Sequence, residues 1–210
     1  MNMPNHASLK DDGSSYVKDM THHAHIDING ETTVQFKDSV ADGSVLNAAT
    51  TVAASTNYDV DVESADPYGR TLTITSTDAG TLTVVGFDYL GQVMTEEITC
   101  IVGDANGAKA FKRVTELRAG SDLAGDVTVK AGAGYGLPFC AVELVREVVD
   151  GASATEGAIT APVTTTPSAI TGDVRGTYNP NTAGDGAKDI SVTYVTTADL
   201  TGGLYGQAQA

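Results

Sequence analysis

TLTITSTDAGTLTVVGFDYLGQVMTEEITCIVGDANGAKAFKRVTELRAGSDLAGDVTVKAGAGYGLP, residues Thr71 to Pro138, is the stretch on which the fold turns. Leu72 and Ile74 alternate with Thr71, Thr73 and Thr75, and Leu82 and Val84 with Thr81 and Thr83. Ile98 and Cys100 alternate with Glu97 and Thr99, and Val127 and Val129 with Asp126, Thr128 and Lys130. Successive side chains on a strand point to opposite faces, so this period describes sheets with one dry and one wet face. The branched carbon of Thr suits a pleated, half-wet surface. Runs of this kind separated by turn residues predict antiparallel strands packed as a sandwich or barrel.

Within this stretch, Asp78-Ala79-Gly80 reads as a short hairpin connection, Tyr89 to Gln92 as a second turn and Gly103 to Gly107 as a third. Ala110 to Leu117 fits two descriptions, because Phe111, Val114 and Leu117 also suit one short helix; the reading taken is an irregular start to a strand. Gly132 to Pro138 is expected to leave the last strand at a sharp backbone corner.

Working outward, the first 30 residues are polar and carry His6, His22, His23 and His25 without periodicity. They are expected to form an extended N-terminal arm. Glu31 to Phe36 predicts a short strand, Lys37 to Asn57 loops with one weak strand around Thr51, and Tyr58 to Val62 another strand. Asp66-Pro67-Tyr68-Gly69 is a turn signal. On the far side, β-branched content tips Phe139 to Val149 towards a strand. Asp150 to Thr171 reads as a linker or extended crossover, Ile190 to Val195 as a late strand, and LTGGLYGQAQA as a Gly-rich tail suited to lying across a neighbour. The expectation is therefore an all-β chain: an arm over residues 1–30 and an antiparallel sandwich or barrel-like core over residues 31–149. Residues 150–210 are a Gly/Thr-rich linker and C-terminal strands, either completing that core or forming a small lobe.

Lys plus Arg number 12 against 27 Asp plus Glu, for a formal net charge of −15. Such a chain repels phosphate backbones and anionic membrane surfaces, so neither nucleic acid nor membrane is an expected partner. The same charge favours solubility and docking onto a basic protein surface. No early basic-then-apolar segment suggests a signal peptide, and no apolar run approaches bilayer length. Cys100 and Cys140 read as small buried hydrophobes; a bridge between them depends on a distance that sequence does not set.

The candidate chemistry is thin. His22-His23-x-His25 offers imidazoles, but no Cys, Asp or Glu at a familiar spacing completes a metal site. Asp59, Asp61, Glu63 and Asp66 lack the Gly bend and terminal Glu of a calcium loop and read as a solvated strand face. Gly132, Gly134 and Gly136 follow a strand, but no Lys-Ser or Lys-Thr closes a phosphate loop, and Pro138 falls where a helix should open. Glu96 and Glu97, adjacent on a strand, point to opposite faces and so make no catalytic pair. No catalytic, cofactor-binding or metal residues are assigned, and an enzyme is not expected.

Several segments resemble a pattern found in virion proteins of tailed bacteriophages. These are Val84-Val85-Gly86-Phe87-Asp88-Tyr89-Leu90-Gly91-Gln92, Glu96-Glu97-Ile98, Gly107-x-Lys109-Ala110-Phe111-Lys112-Arg113-Val114 and Gly136-Leu137-Pro138. Gly172-Asp173-Val174-Arg175-Gly176-Thr177-Tyr178 is similar to the C-terminal part of some of them. The resemblance covers about half of the chain and carries no catalytic residues. It implies a head decoration, or cement, protein on the capsid exterior, assembled in the host cytoplasm. Its partners would be the major capsid protein and itself, as a homotrimer. The alternatives are a head-fibre base, a tail component or a receptor-binding adhesive module; a bacterial surface domain with a calcium role would want an export signal and calcium motifs. Beside the apolar Phe111 and Val114, the cations Lys112, Arg113 and Arg118 make the segment that either supports the core or lines a subunit contact.

Overall fold

The computed structural model describes residues 30–38 and 40–210. The expected arm, with its four histidines, lies outside them apart from Gly30. Among the described residues there are strands and no helix. The alternating runs become β4 (Arg70–Ser76), β5 (Gly80–Phe87), β6 (Val93–Cys100) and β9 (Gly125–Gly136). With β2 (Val45–Val52), β3 (Asn57–Glu63), β7 (Gly103–Asn106) and β8 (Arg113–Ala119), they make two facing sheets. One runs β3-β8-β5-β6; in the other β9 lies between β4 and β2, with β7 beyond β4. Between them lies an apolar core that includes Leu72, Ile74, Leu82, Val84, Met94, Ile98, Leu117, Val127 and Val129. Apart from Met94 and Leu117, these are dry-face residues of the alternation, so the period decided which side of those strands faces inward.

β9 runs on beyond this sandwich. Its first half pairs with β2, whereas Tyr135 and Gly136 pair with β13 (Thr177–Asn179), itself bonded to β12 (Ala158–Thr160). A second core forms there from Val34, Phe36, Tyr68, Tyr135, Leu137, Tyr178, Ile190, Val192 and Tyr194. It is covered by a sheet ordered β1 (Glu31–Lys37), β14 (Asp189–Thr196), β10 (Ala141–Val149) and β11 (Ala152–Ser153). β14 sits between β1 and β10, so the C-terminal region supplies a central strand to a sheet begun near residue 31.

The structure differs from the sequence reading in several places. Asp78-Ala79-Gly80 is no hairpin: β4 pairs with β7 and β9, β5 with β6 and β8, so this turn carries the chain from one sheet to the other. Asp88 to Gln92 is the true hairpin, closed by the Asp88 N–H on the Gln92 carbonyl at 3.0 Å. Gly103 to Asn106 forms strand β7, because the backbone of β4 offers it a partner despite its lack of apolar alternation. β2 is a full strand rather than a weak one; its two bulges against β9 break the period that would have marked it. Gly132, Gly134 and Gly136 lie within β9 rather than at a corner. They permit close approach: a side chain at Gly136 would collide with the Tyr68 carbonyl.

Candidate functional site

The segment singled out from its cations is split by the fold. Phe111 is buried in the sandwich core, and its backbone pairs with Arg70 on both sides, at 2.9 and 3.0 Å. Lys112 Nζ donates to the carbonyls of Ser64 at 2.6 Å and Asp66 at 3.1 Å. Arg113 and Arg118 point outward from β8, where Arg113 meets Asp61 at 2.8 Å and Arg118 meets Glu116 at 2.7 Å. Of the four, then, Arg113 and Arg118 display their charge at the surface.

The stronger polar clusters are internal. Arg70, buried at the head of β4, forms ion pairs with Asp38 at 3.1 Å, Asp66 at 3.5 Å and Asp42. Its Nε donates to the Gly132 carbonyl at 2.7 Å, and its guanidinium lies over the Tyr135 ring at 4.4 Å. Asp38 and Asp42 also accept the N–H groups of Gly186 and Gly184, at 2.7 and 3.0 Å. One cation thus ties the β1–β2 connection and the turn before β4, while its aspartates hold the loop before β14. Burial pushes the Asp66 carboxyl up to about 6 against the opposing pull of Arg70.

A second knot gathers the segments that carry the resemblance. Arg175 is buried, 3.0 Å from Asp88 and 3.8 Å from Asp173, with its guanidinium 4.9 Å from the Tyr89 ring centre. Asp88 Oδ1 accepts the N–H groups of Leu90 and Gln92, which shapes the β5–β6 hairpin. Asp173 Oδ2 accepts the Ala110 N–H at 3.3 Å. Tyr89 donates its hydroxyl hydrogen to the Pro138 carbonyl at 2.6 Å. A side chain at Gly86 would strike the Arg113 carbonyl. The Gly-x-Asp-x-x-Gly hairpin, the Lys-Ala-Phe-Lys segment, the Gly-Leu-Pro exit and the Gly-Asp-Val-Arg segment therefore meet around one buried arginine.

Beside this knot, buried Glu96 accepts the N–H groups of Ala108 and Lys109. Buried Lys109 donates from Nζ to the Ala210 carbonyl at 3.0 Å, and the same oxygen takes the Thr95 N–H at 2.7 Å. The Gly-rich tail thus lies across its own β6 edge, where the Glu97 N–H also bonds the Ala169 carbonyl at 2.8 Å. Burial raises the Glu96 carboxyl to about 7. Neither Arg70, Arg175, Lys109 nor Glu96 was singled out from the sequence as a buried ion. Only Glu96 left a signal, since it shares strand parity with Met94 and Ile98.

Asp59, Asp61 and Glu63 stand exposed on β3, while Asp66 is turned inward to Arg70. Among the described residues no group of His, Cys, Asp and Glu is arranged to hold a metal ion. Cys100 and Cys140 are free and buried, and burial raises each thiol to about 11, away from thiolate chemistry at neutral pH. No helix among the described residues is long and apolar enough to cross a membrane. No family model, curated protein or solved structure matches the chain.

Proposed function

We propose that this chain is a virion structural protein that binds the outer surface of a capsid and stabilises it as a decoration protein, with the major capsid protein and other copies of itself as partners. The observation that carries this reading is the convergence of the phage-like segments on the Arg175 knot, where Asp88, Asp173, Ala110 and Pro138 are held together. The shared pattern then describes a scaffold rather than a reactive site. Two buried arginines and a buried lysine tie loops that are distant in sequence to one β body. Such a body suits attachment in many copies to a shell, because repeated weak contacts add through avidity.

Arg113 and Arg118, exposed on β8, are the proposed shell contacts from the original segment. The test uses particles that carry the protein. Stripping it off should lower the temperature at which the shell releases its contents, and adding it back should restore that temperature. Arg113→Glu should lower occupancy on the particle. Unchanged heat resistance with lost host attachment would assign the chain to an adhesive role instead, and unchanged Arg113→Glu occupancy would remove β8 from the contact.

A further inference from the structure

Three segments that are far apart in sequence share one end of the molecule. They are residues 89–93 at the β5–β6 hairpin, residues 137–142 leading into β10, and the tail over residues 197–210. The Tyr89 hydroxyl reaches the Pro138 carbonyl at 2.6 Å. The Tyr205 ring lies 5.4 Å from that of Phe139. The Cys140 N–H donates to the Leu204 carbonyl at 2.9 Å, and the Thr197 N–H to the Cys140 carbonyl at 3.2 Å.

In a chain with 27 acidic residues, these three segments contain one charged residue, Asp199. It is buried and turned onto the N–H groups of Thr201 and Gly202. Beneath them Asp88 and Arg175 neutralise each other. What these segments show to solvent is uncharged, with the exposed Thr197 and Thr201 among the apolar Leu90 (44% exposed), Val93 (59%), Val142 (57%), Leu200 (100%), Leu204 (40%) and Tyr205 (49%). Glu143 marks its rim. A soluble monomer rarely leaves so many apolar side chains together in water.

We propose that this end is the contact between copies of the chain. Two bodies of net charge −15 repel over most of their surfaces. A basic partner gains most from the acidic remainder and little from a face without charge. To another equally acidic copy, the charge-free end is the surface where approach costs least and where apolar burial is available. Tyr205, an aromatic on a surface of small and aliphatic groups, fits the composition of interface centres. The proposal rests on this surface alone and does not need the capsid reading.

The test is the mass in solution of the full chain, by sedimentation and light scattering, over a range of protein and salt concentrations. The expected mass exceeds the 21.5 kDa of one chain and rises with protein concentration. It rises further with salt, because screening removes the residual repulsion while apolar burial persists. Leu200→Asp, at a side chain with no packing to lose, should weaken association by about tenfold or more, and Leu200→Asp with Tyr205→Asp should leave a monomer. Val102→Asp, exposed beyond the opposite end of β6, should leave association unchanged. A wild-type chain that stays at the mass of one chain throughout, or equal dissociation by Val102→Asp, would overturn the proposal.

Discussion

Glu96 sits on the inner side of β6 between Met94 and Ile98, where its carboxylate holds the Ala108 and Lys109 N–H groups. The charged and buried groups that face it are Lys109 and Asp173. Burial raises its pKa from 4.5 to about 7. Because the folded chain keeps this proton to higher pH than the unfolded chain, it binds more protons between those values. Stability therefore falls as pH rises through that window, by an amount on the order of 3 kcal/mol for this group alone. Asp66, raised to about 6, acts in the same direction over a lower window. Melting temperature should drop between pH 5.5 and pH 8, and Glu96→Gln should flatten that drop while keeping an oxygen for the two N–H groups. A curve equally steep in the variant would place the proton elsewhere. The parity of Glu96 was legible in the sequence, whereas the burial of Arg70, Arg175 and Lys109 was not. Their side chains are long, they lie at or beyond strand ends, and Asp38 for Arg70, Asp88 for Arg175 and the Ala210 carbonyl for Lys109 come from far away in sequence.

β9 is the element that unites the two cores. Its first half reads as an alternating strand, with Val127 and Val129 inward; its second half is glycine and alanine up to Tyr135. Glycine weakens a strand signal, so the sequence suggested an ending where the chain continues. The structural reason is crowding: Gly132 and Gly134 lie against Thr71, and Gly136 lies against the Tyr68 carbonyl. Gly136→Ala should cost about 1–3 kcal/mol by chemical denaturation, the usual penalty for forcing atoms into a packed place. An unchanged midpoint would show that the turn at Asp66 to Gly69 gives way freely. β4, β5, β6 and β14 were legible because one face of each is dry along its length. β2 and β7 were not, since their places depend on backbone partners and bulges rather than on apolar side chains. A β-arch at Asp78-Ala79-Gly80 and a hairpin also share the same turn residues, so local chemistry alone does not choose between them.

At the scale of the molecule, Arg70 is the polar junction between the sandwich and the second core. Replacing it with Met would leave the buried carboxylates of Asp38 and Asp66 without their cation, together with the Gly132 and Val40 carbonyls. Breaking a buried pair from one side costs about 3–5 kcal/mol. Arg70→Met should unfold at a much lower denaturant concentration. Adding Asp66→Asn should recover part of the loss, because it removes one uncompensated charge; no recovery would show that the arginine acts through packing on Tyr135 instead. The sheet over the second core carries a further consequence. Thr33 and Thr193 touch across β1 and β14 although they are 160 residues apart in sequence. During synthesis the sandwich strands leave the ribosome well before β14, so they can associate early, while β1 must wait for nearly the whole polypeptide before its neighbour arrives. Contacts of such long range make folding slow. A nascent chain paused before residue 189 should therefore protect the sandwich from protease and leave β1 open to cleavage.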